Sequence, residues 1–248
     1  MRGIILTAGA GTRLAPATEV LNKNLLPILN CPMIVFSIEM LRDTFGITDI
    51  LIVSNPRDIG DFAKFLKDGS HYKVNLTYKV QSVQTGIASA IGIAENFVPK
   101  NEKFLVLLGD NIFLTNTAKK IKFGKDNDSV IFTQTVPDPE RFGVLVSDKS
   151  GKPISIEEKP KAPKSNSIVT GLYVYPYSAF AAIKKLKPSA RGEYEVTDLN
   201  NFFLKKKQCR VIENSTFCDF WADVGTPDSL FEAGSHIMSK RRAGKETK

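Results

Sequence analysis

Gly3-Ile-Ile-Leu-Thr-Ala-Gly-Ala-Gly-Thr-Arg-Leu14 stands at the start of the chain and decides its fold. The apolar run Gly3–Thr7 reads as a short buried strand, and it empties into a loop of glycine, alanine and threonine. Three kinds of turn share such a loop. A dinucleotide fingerprint places a third glycine where Leu14 stands, and an acid at the end of the second strand, which here closes on Ser54-Asn55. A Walker A loop ends in Gly-Lys-Ser or Gly-Lys-Thr, whereas this one reads Gly11-Thr12-Arg13. Two glycines also serve a plain tight turn. Arg13 tilts the balance toward an anion site, because it follows loop amides able to cradle phosphate.

Working outward, the first half alternates strand and helix. Asp49–Val53, Val74–Val80 and Phe104–Leu108 read as strands. Met33–Leu41, the stripe Phe62, Phe65 and Leu66, and Ile87–Phe97 read as helices. This order predicts an α/β fold, a Rossmann-like and mostly parallel central sheet flanked by helices. The second half is richer in strands: Val130–Thr135, Gly143–Ser147, Pro153–Glu157, Val169–Tyr175, Val211–Ile212 and Phe217–Asp223. Helices are expected around Phe180/Ile183, Val196–Phe203 and Leu230–Met238. No linker rich in Pro, Gly or Ser divides the two halves, so a mixed subdomain built onto one α/β domain is expected.

Composition removes several functions. The 248 residues carry 34 Lys and Arg against 26 Asp and Glu, a net charge of +8. Half of that excess lies in residues 240–248, which read as a disordered basic tail, so the rest of the chain is only mildly basic. A nucleic-acid binder needs a basic stripe or face, and none is visible. The three cysteines, Cys31, Cys209 and Cys218, show no metal or redox spacing. Two isolated histidines, His71 and His236, argue against a zinc site or a Ser-His-Asp triad. No apolar run reaches the roughly 18–20 residues of a membrane span. Gly3–Ala10 is too short for a secretory leader and lacks a cleavage site, so a cytoplasmic protein is expected.

Two more residues complete a candidate site. Lys23, in Lys23-Asn-Leu-Leu-Pro27, lies ten residues past the loop; alone it would read as a solvated lysine. Asp110 ends the most apolar strand, at the carboxyl edge where open α/β sheets bind ligands, although Asp110-Asn111 could equally be a turn pair. Asp223 could cap the helix after it, and Glu157-Glu-Lys-Pro160 could be an exposed charge run.

The joint pattern resembles the sugar-1-phosphate nucleotidylyltransferases, and among them most closely the short-form glucose-1-phosphate thymidylyltransferases. The blocks are Gly9-Ala-Gly-Thr-Arg-Leu-Ala-Pro-Ala-Thr18, Lys23-Asn-Leu-Leu-Pro-Ile28, Pro32-Met-Ile34 and Leu108-Gly-Asp-Asn-Ile-Phe113. They continue with Asp138-Pro-Glu-Arg-Phe-Gly143, Glu157-Glu-Lys-Pro160, Lys164-Ser-Asn166, Val169-Thr-Gly-Leu-Tyr173 and Leu186-Lys-Pro-Ser-Ala-Arg-Gly-Glu193. All lie in the family's order across roughly residues 1–238.

The resemblance implies a nucleotidylyltransferase domain over 1–239. Residues 1–112 would mainly bind nucleotide and 113–239 mainly sugar phosphate. The nucleotide would meet Ala8, Gly9, Gly11, Thr12, Arg13, Gln81, Gly86 and Asp110. Arg13, Lys23 and Asp110 would be catalytic, and Asp110 with Asp223 would hold Mg2+. Gly143, Glu158, Lys159, Val169 and Arg191 would line the sugar-phosphate site. The implied substrates are dTTP and glucose 1-phosphate, feeding deoxysugar and polysaccharide synthesis, in a homodimer or homotetramer. The sequence departs from the family at Ala8, where a glycine is usual, at Ser89, where a glutamine is usual, and at Val224. A non-catalytic sugar-nucleotide sensor on the same fold would have lost the charges of the reacting centre, yet Arg13, Lys23, Asp110, Lys159 and Asp223 are all present.

Overall fold

A computed structural model describes residues 1–115, 121, 123 and 127–246, with side chains as far as residue 242. The strands are β1 (Arg2–Leu6), β2 (Pro27–Ile28), β3 (Cys31–Pro32), β4 (Asp49–Ser54), β5 (Asn75–Val80), β6 (Lys103–Leu108) and β7 (Asn111–Leu114). They continue as β8 (Ser129–Thr135), β9 (Gly143–Ser147), β10 (Pro153–Glu158), β11 (Ser167–Pro176), β12 (Cys209–Glu213) and β13 (Phe220–Asp223). The helices are α1 (Ala17–Val20), α2 (Met33–Glu39), α3 (Ile59–Leu66), α4 (Ile87–Gly92), α5 (Ala179–Ile183), α6 (Val196–Lys205) and α7 (Pro227–Glu246).

A nine-stranded sheet forms the centre, with β10-β9-β11-β6-β1-β4-β5 along its path and β8 and β12 attached through β11. The half β6-β1-β4-β5 is wholly parallel. Antiparallel pairing begins where β11 joins β6. Strand period 2 sorts the core onto two faces. Ile4, Leu6, Phe104 and Val106 pack with α4, α5 and α6, while Ile5, Leu105 and Leu107 pack with α2 and α3. Burial on both faces explains why β1 and β6 read as continuous apolar runs.

Four expectations shift. In α3, Phe62 and Leu66 are buried, but Phe65 is 41% exposed at the edge of the stripe. The helix expected over Ile87–Phe97 ends at Gly92 and tightens into i→i+3 turns, with Ala94 N on Ile91 O and Phe97 N on Ala94 O. The segment after Asp110 is a strand, β7, paired antiparallel with β13. Helix α7 runs on to Glu246 where a disordered tail was expected from residue 240. Lys240 Nζ reaches Asp219 at 3.3 Å and Arg241 donates to Asn30 Oδ1 at 2.9 Å, so the first tail cations find partners on the body of the protein.

Candidate active site

The loop after β1 is shaped by Gly11, which sits in the left-handed region at φ 66° and opens the 3-10 turn Thr12–Leu14. Only glycine adopts that conformation without a Cβ penalty. Thr18 Oγ1 ties the loop down by donating to Gly11 O at 2.9 Å. A second 3-10 turn, Lys23–Leu25, is capped by Asn22, whose side chain accepts from Asn24 N at 2.9 Å. Asn22 in turn donates to Thr7 O at 3.0 Å and to Asp58 Oδ2 at 2.6 Å. Asp58 also accepts from Asn55 and Arg57. Burial opposes its charge, but these hydrogen bonds outweigh it and hold the carboxyl below its ordinary pKa. A buried anion thus locks the turn that presents Lys23. The side chain of Lys23 lies against the glycine loop, its Nζ 3.6 Å from where a Cβ on Gly9 would stand.

Lys23 is no surface lysine: its side chain is 15% exposed and hydrogen-bonds Asp110 Oδ2. Burial alone would lower its pKa, but the charge of Asp110 raises it, and Lys23 stays an ammonium. Burial likewise opposes the charge of Asp110, and Lys23 overcomes this to keep the carboxylate ionised. The other carboxylate arrives through the β7–β13 pairing, which sets Asp223 opposite Asn111, and Val224 N donates to Asp110 O at 2.8 Å. Burial, and then the charge of Asp110, push Asp223 up to about 6. Arg141 and Arg13 stand 3.7 and 4.0 Å from Asp223 Oδ2. Asn111 braces the corner: its Nδ2 donates to Asp110 Oδ1 at 3.1 Å, and its Oδ1 accepts from Gly171 N and Trp221 Nε1, each at 2.9 Å.

Two cavities share Asp110, Leu108 and Ile87. The smaller, about 280 Å3, takes in Ala8, Gly9, Lys23, Gln81 and Gly86. The larger, about 510 Å3, takes in Arg13, Gly143, Glu158, Lys159, Val169 and Asp223. Lys159 adopts φ 44°, unusual for a side-chain-bearing residue, and its N–H donates to Phe142 O at 2.9 Å. A wider apolar groove of about 1200 Å3 runs beside α7, but Arg242 is its one charged wall residue among the described residues, so it cannot offset a polyanion.

The sequence candidates therefore gather closely. Gly11 and Thr12 shape the loop rather than line either cavity. Arg191 stands behind the larger cavity, bonding Glu195 at 2.9 Å and Glu158 at 3.4 Å. Glu158 itself accepts from Thr197. Sequence reasoning missed Arg141, Asn111, Thr197 and Trp221 as wall residues. Arg141 was within reach, since it lies in the Asp138–Gly143 block; the others needed the register of β7 with β13 and the placement of α6.

The two carboxylates form a set of hard oxygen donors, and a divalent cation held by them would offset the charge of Asp110, which adds to burial in raising Asp223. They fit magnesium, which takes one or two carboxylates and completes its shell with substrate phosphates and water. Among the described residues no group of three or more His, Cys, Asp or Glu is poised for a metal, so such an ion would depend on substrate oxygens.

The profile of the nucleotidyl transferases matches residues 2–240. The chain belongs to that family. It is 41% identical over 244 residues to the glucose-1-phosphate thymidylyltransferase of Neisseria meningitidis serogroup A, covering 96% of this chain and 83% of that one. The Mycobacterium tuberculosis glucose-1-phosphate thymidylyltransferase is 40% identical over 248 residues, covering 98% and 85%. Among solved structures, a Bacillus anthracis protein described as a glucose-1-phosphate thymidylyltransferase and crystallised with sucrose superposes with a TM-score of 0.83 at 42% identity, covering 95% and 94%. A UDP-glucose pyrophosphorylase bound to UDP-glucose shares the fold, with a TM-score of 0.82 at 23% identity. This nucleotidyl transferase is thus an enzyme, of a family typically dependent on metal ions. No helix among the described residues is long and apolar enough to cross a membrane.

Proposed function

We propose that this nucleotidyl transferase moves a thymidylyl group from dTTP to glucose 1-phosphate, releasing pyrophosphate and forming dTDP-glucose. One observation carries the proposal: three cations, Arg13, Lys23 and Arg141, converge with Asp110 and Asp223 where the two cavities meet. The smaller cavity suits a nucleotide, with Gln81 and Gly86 at the base and the Gly9–Arg13 loop at the phosphates. The larger suits a hexose phosphate, with Gly143, Glu158, Lys159 and Val169 on its wall and Arg191 holding Glu158.

The nucleophile is a phosphate monoester whose second pKa lies near ~6, so at neutral pH it is already largely dianionic. It attacks the α-phosphorus in line, and the bond to pyrophosphate breaks. No side chain has to remove a proton, which accords with a centre that lacks histidine. The obstacle is one polyanion approaching another: two unit charges ~4 Å apart cost about 4 kcal/mol at an effective dielectric of ~20. Lys23 offsets that repulsion from the smaller cavity, and Arg13, Arg141 and Lys159 offset it from the larger. Lys23, paired with Asp110, also lines the smaller cavity, where its ammonium would meet phosphate. Magnesium held by Asp110 and Asp223 would supply further positive charge to the phosphate oxygens. Fixed loop amides orient the reacting pair, so catalysis is positioning plus electrostatics.

The test is a panel of dTTP, UTP, dCTP and GTP with glucose 1-phosphate and magnesium, read by pyrophosphate release. dTTP should give the highest kcat/KM. A clear preference for UTP, CTP-type or GTP substrates would reassign the nucleotide and keep the reaction. Binding of dTTP without pyrophosphate release would leave a sensor. Self-association as a homodimer or homotetramer belongs to the same proposal, and sedimentation equilibrium checks it.

A further inference from the structure

Gln81 is 4% exposed and lines the smaller cavity, and its terminal amide can stand in either of two orientations with nearly the same shape. The neighbouring hydroxyls choose between them. Ser89 lies on the first turn of α4, and its Oγ donates back to Gly86 O at 2.8 Å. Its single proton is thereby used. Both lone pairs are taken as well, by Thr85 Oγ1 at 2.9 Å and by Gln81 Nε2 at 3.0 Å. Gln81 Nε2 also donates to Gly86 O at 3.4 Å, and a carbonyl oxygen can only accept. Reversing the amide would set its oxygen against that carbonyl and against a hydroxyl with no proton to spare. The NH2 group is therefore held toward the helix start, and Oε1, on which no described residue places a donor, is left for the cavity.

We propose that Ser89 is a positioning residue for base choice: by fixing the Gln81 amide with its oxygen toward the cavity, it selects an imide base, thymine or uracil, against cytosine. Thymine presents an N3–H donor, which that oxygen accepts. Cytosine presents a bare N3 lone pair at the same place, and two acceptors then face each other. A site committed to one hydrogen-bond polarity rejects the opposite polarity far more strongly than a pocket rejects a change of size. The inference rests on the nucleotide side of the proposed function, and it deepens it by naming what sets the base.

The experiment compares kcat/KM for dTTP and dCTP with glucose 1-phosphate in the wild type, Ser89→Ala and Ser89→Thr, with circular dichroism to confirm folding. The wild type is expected to favour dTTP by at least ~100-fold. Ser89→Ala removes the shorter of the two bonds that hold the NH2 group and leaves only the 3.4 Å bond to Gly86 O, so the amide turns more readily and the ratio should fall at least tenfold, mostly through a gain with dCTP. Ser89→Thr keeps the hydroxyl and should restore the ratio. A loss of general stability would slow both substrates alike and leave the ratio unmoved. A Ser89→Ala ratio within twofold of a discriminating wild type would overturn the role of Ser89 while leaving the reaction intact. A wild type that does not discriminate, or that releases pyrophosphate from neither nucleotide, would overturn the nucleotide assignment itself.

Discussion

The smaller cavity takes most of its polar wall from three short stretches, Ala8–Gly9, Lys23 and Gln81–Gly86, each set by a turn or helix start within a few residues, with Asp110 and Glu193 added from farther along the chain. The larger takes its wall from Arg13, Arg141–Gly143, Glu158–Lys159, Val169–Tyr173, Thr197 and Trp221–Asp223, brought together by sheet register across much of the chain. In the first, local chain geometry places backbone and amide groups. In the second, long-range strand pairing places side chains. A substitution in the smaller cavity should therefore act on one substrate, whereas one in the larger also disturbs the charges around Asp223.

Asp110 belongs to both cavities and should give the largest effect. Asp110→Asn is expected to lower turnover at least ~1000-fold, since it removes charge at the reacting centre. It should also cost about 3 kcal/mol of stability, because Lys23 loses the partner of a buried ion pair. Adding Lys23→Met should recover much of that stability in a denaturant titration and none of the activity. Near-normal turnover of Asp110→Asn at saturating magnesium would remove the carboxylate from the mechanism. Lys23→Ala comes next, with at least a tenfold fall in kcat; an unchanged kcat would make the lysine structural only.

Two smaller perturbations sharpen the division between the cavities. Gly86 holds φ 107°, and a Cβ there would stand 2.5 Å from Tyr194 O and 2.8 Å from Tyr194 N. Gly86→Ala should therefore raise KM for dTTP about tenfold, a strain of about 1–3 kcal/mol, and leave KM for glucose 1-phosphate within twofold. Arg141→Ala should do the reverse and also lower kcat several-fold, because Arg141 faces Asp223 at 3.7 Å. Equal shifts in both KM values for either variant would erase the distinction. The smallest effect belongs to Lys240→Ala. The pair with Asp219 is solvent-facing and worth at most about 1 kcal/mol, so thermal unfolding should move slightly and turnover not at all.

The contrast between the cavities also explains what was legible in the sequence. The β1 loop, the turn at Lys23 and the end of β6 are local devices, visible as glycine spacing and an apolar run that stops at Asp110. Strands β1, β4 and β6 were legible because burial on both faces leaves an unbroken apolar stretch. Asn111 looked like half of a turn pair, because Asn and Asp favour turns and a four-residue strand has little pattern of its own. Its two acceptor contacts, to Gly171 and Trp221, span 60 and 110 residues, a separation that no local pattern encodes. Lys23 was placed near the phosphates from the family blocks, yet its pairing with Asp110 across 87 residues appears only in the fold. The basic tail misled for a simpler reason: its charges suggested solvation, while the apolar residues just before it, Ala233 and Ile237, already anchor the helix.

The pairing of β7 with β13 also has a consequence for biosynthesis. A chain emerging from the ribosome can pack β1, β4, β5 and β6 with their helices long before residue 220 is made, so the loop, Lys23 and Asp110 can form early. Asp223 arrives only with β13, more than a hundred residues after Asp110. Until then Asp110 has Lys23 as its sole charged neighbour of the pair, and the nascent protein holds a glycine loop without its second carboxylate. Synthesis order thus withholds the second carboxylate until β13 has been made.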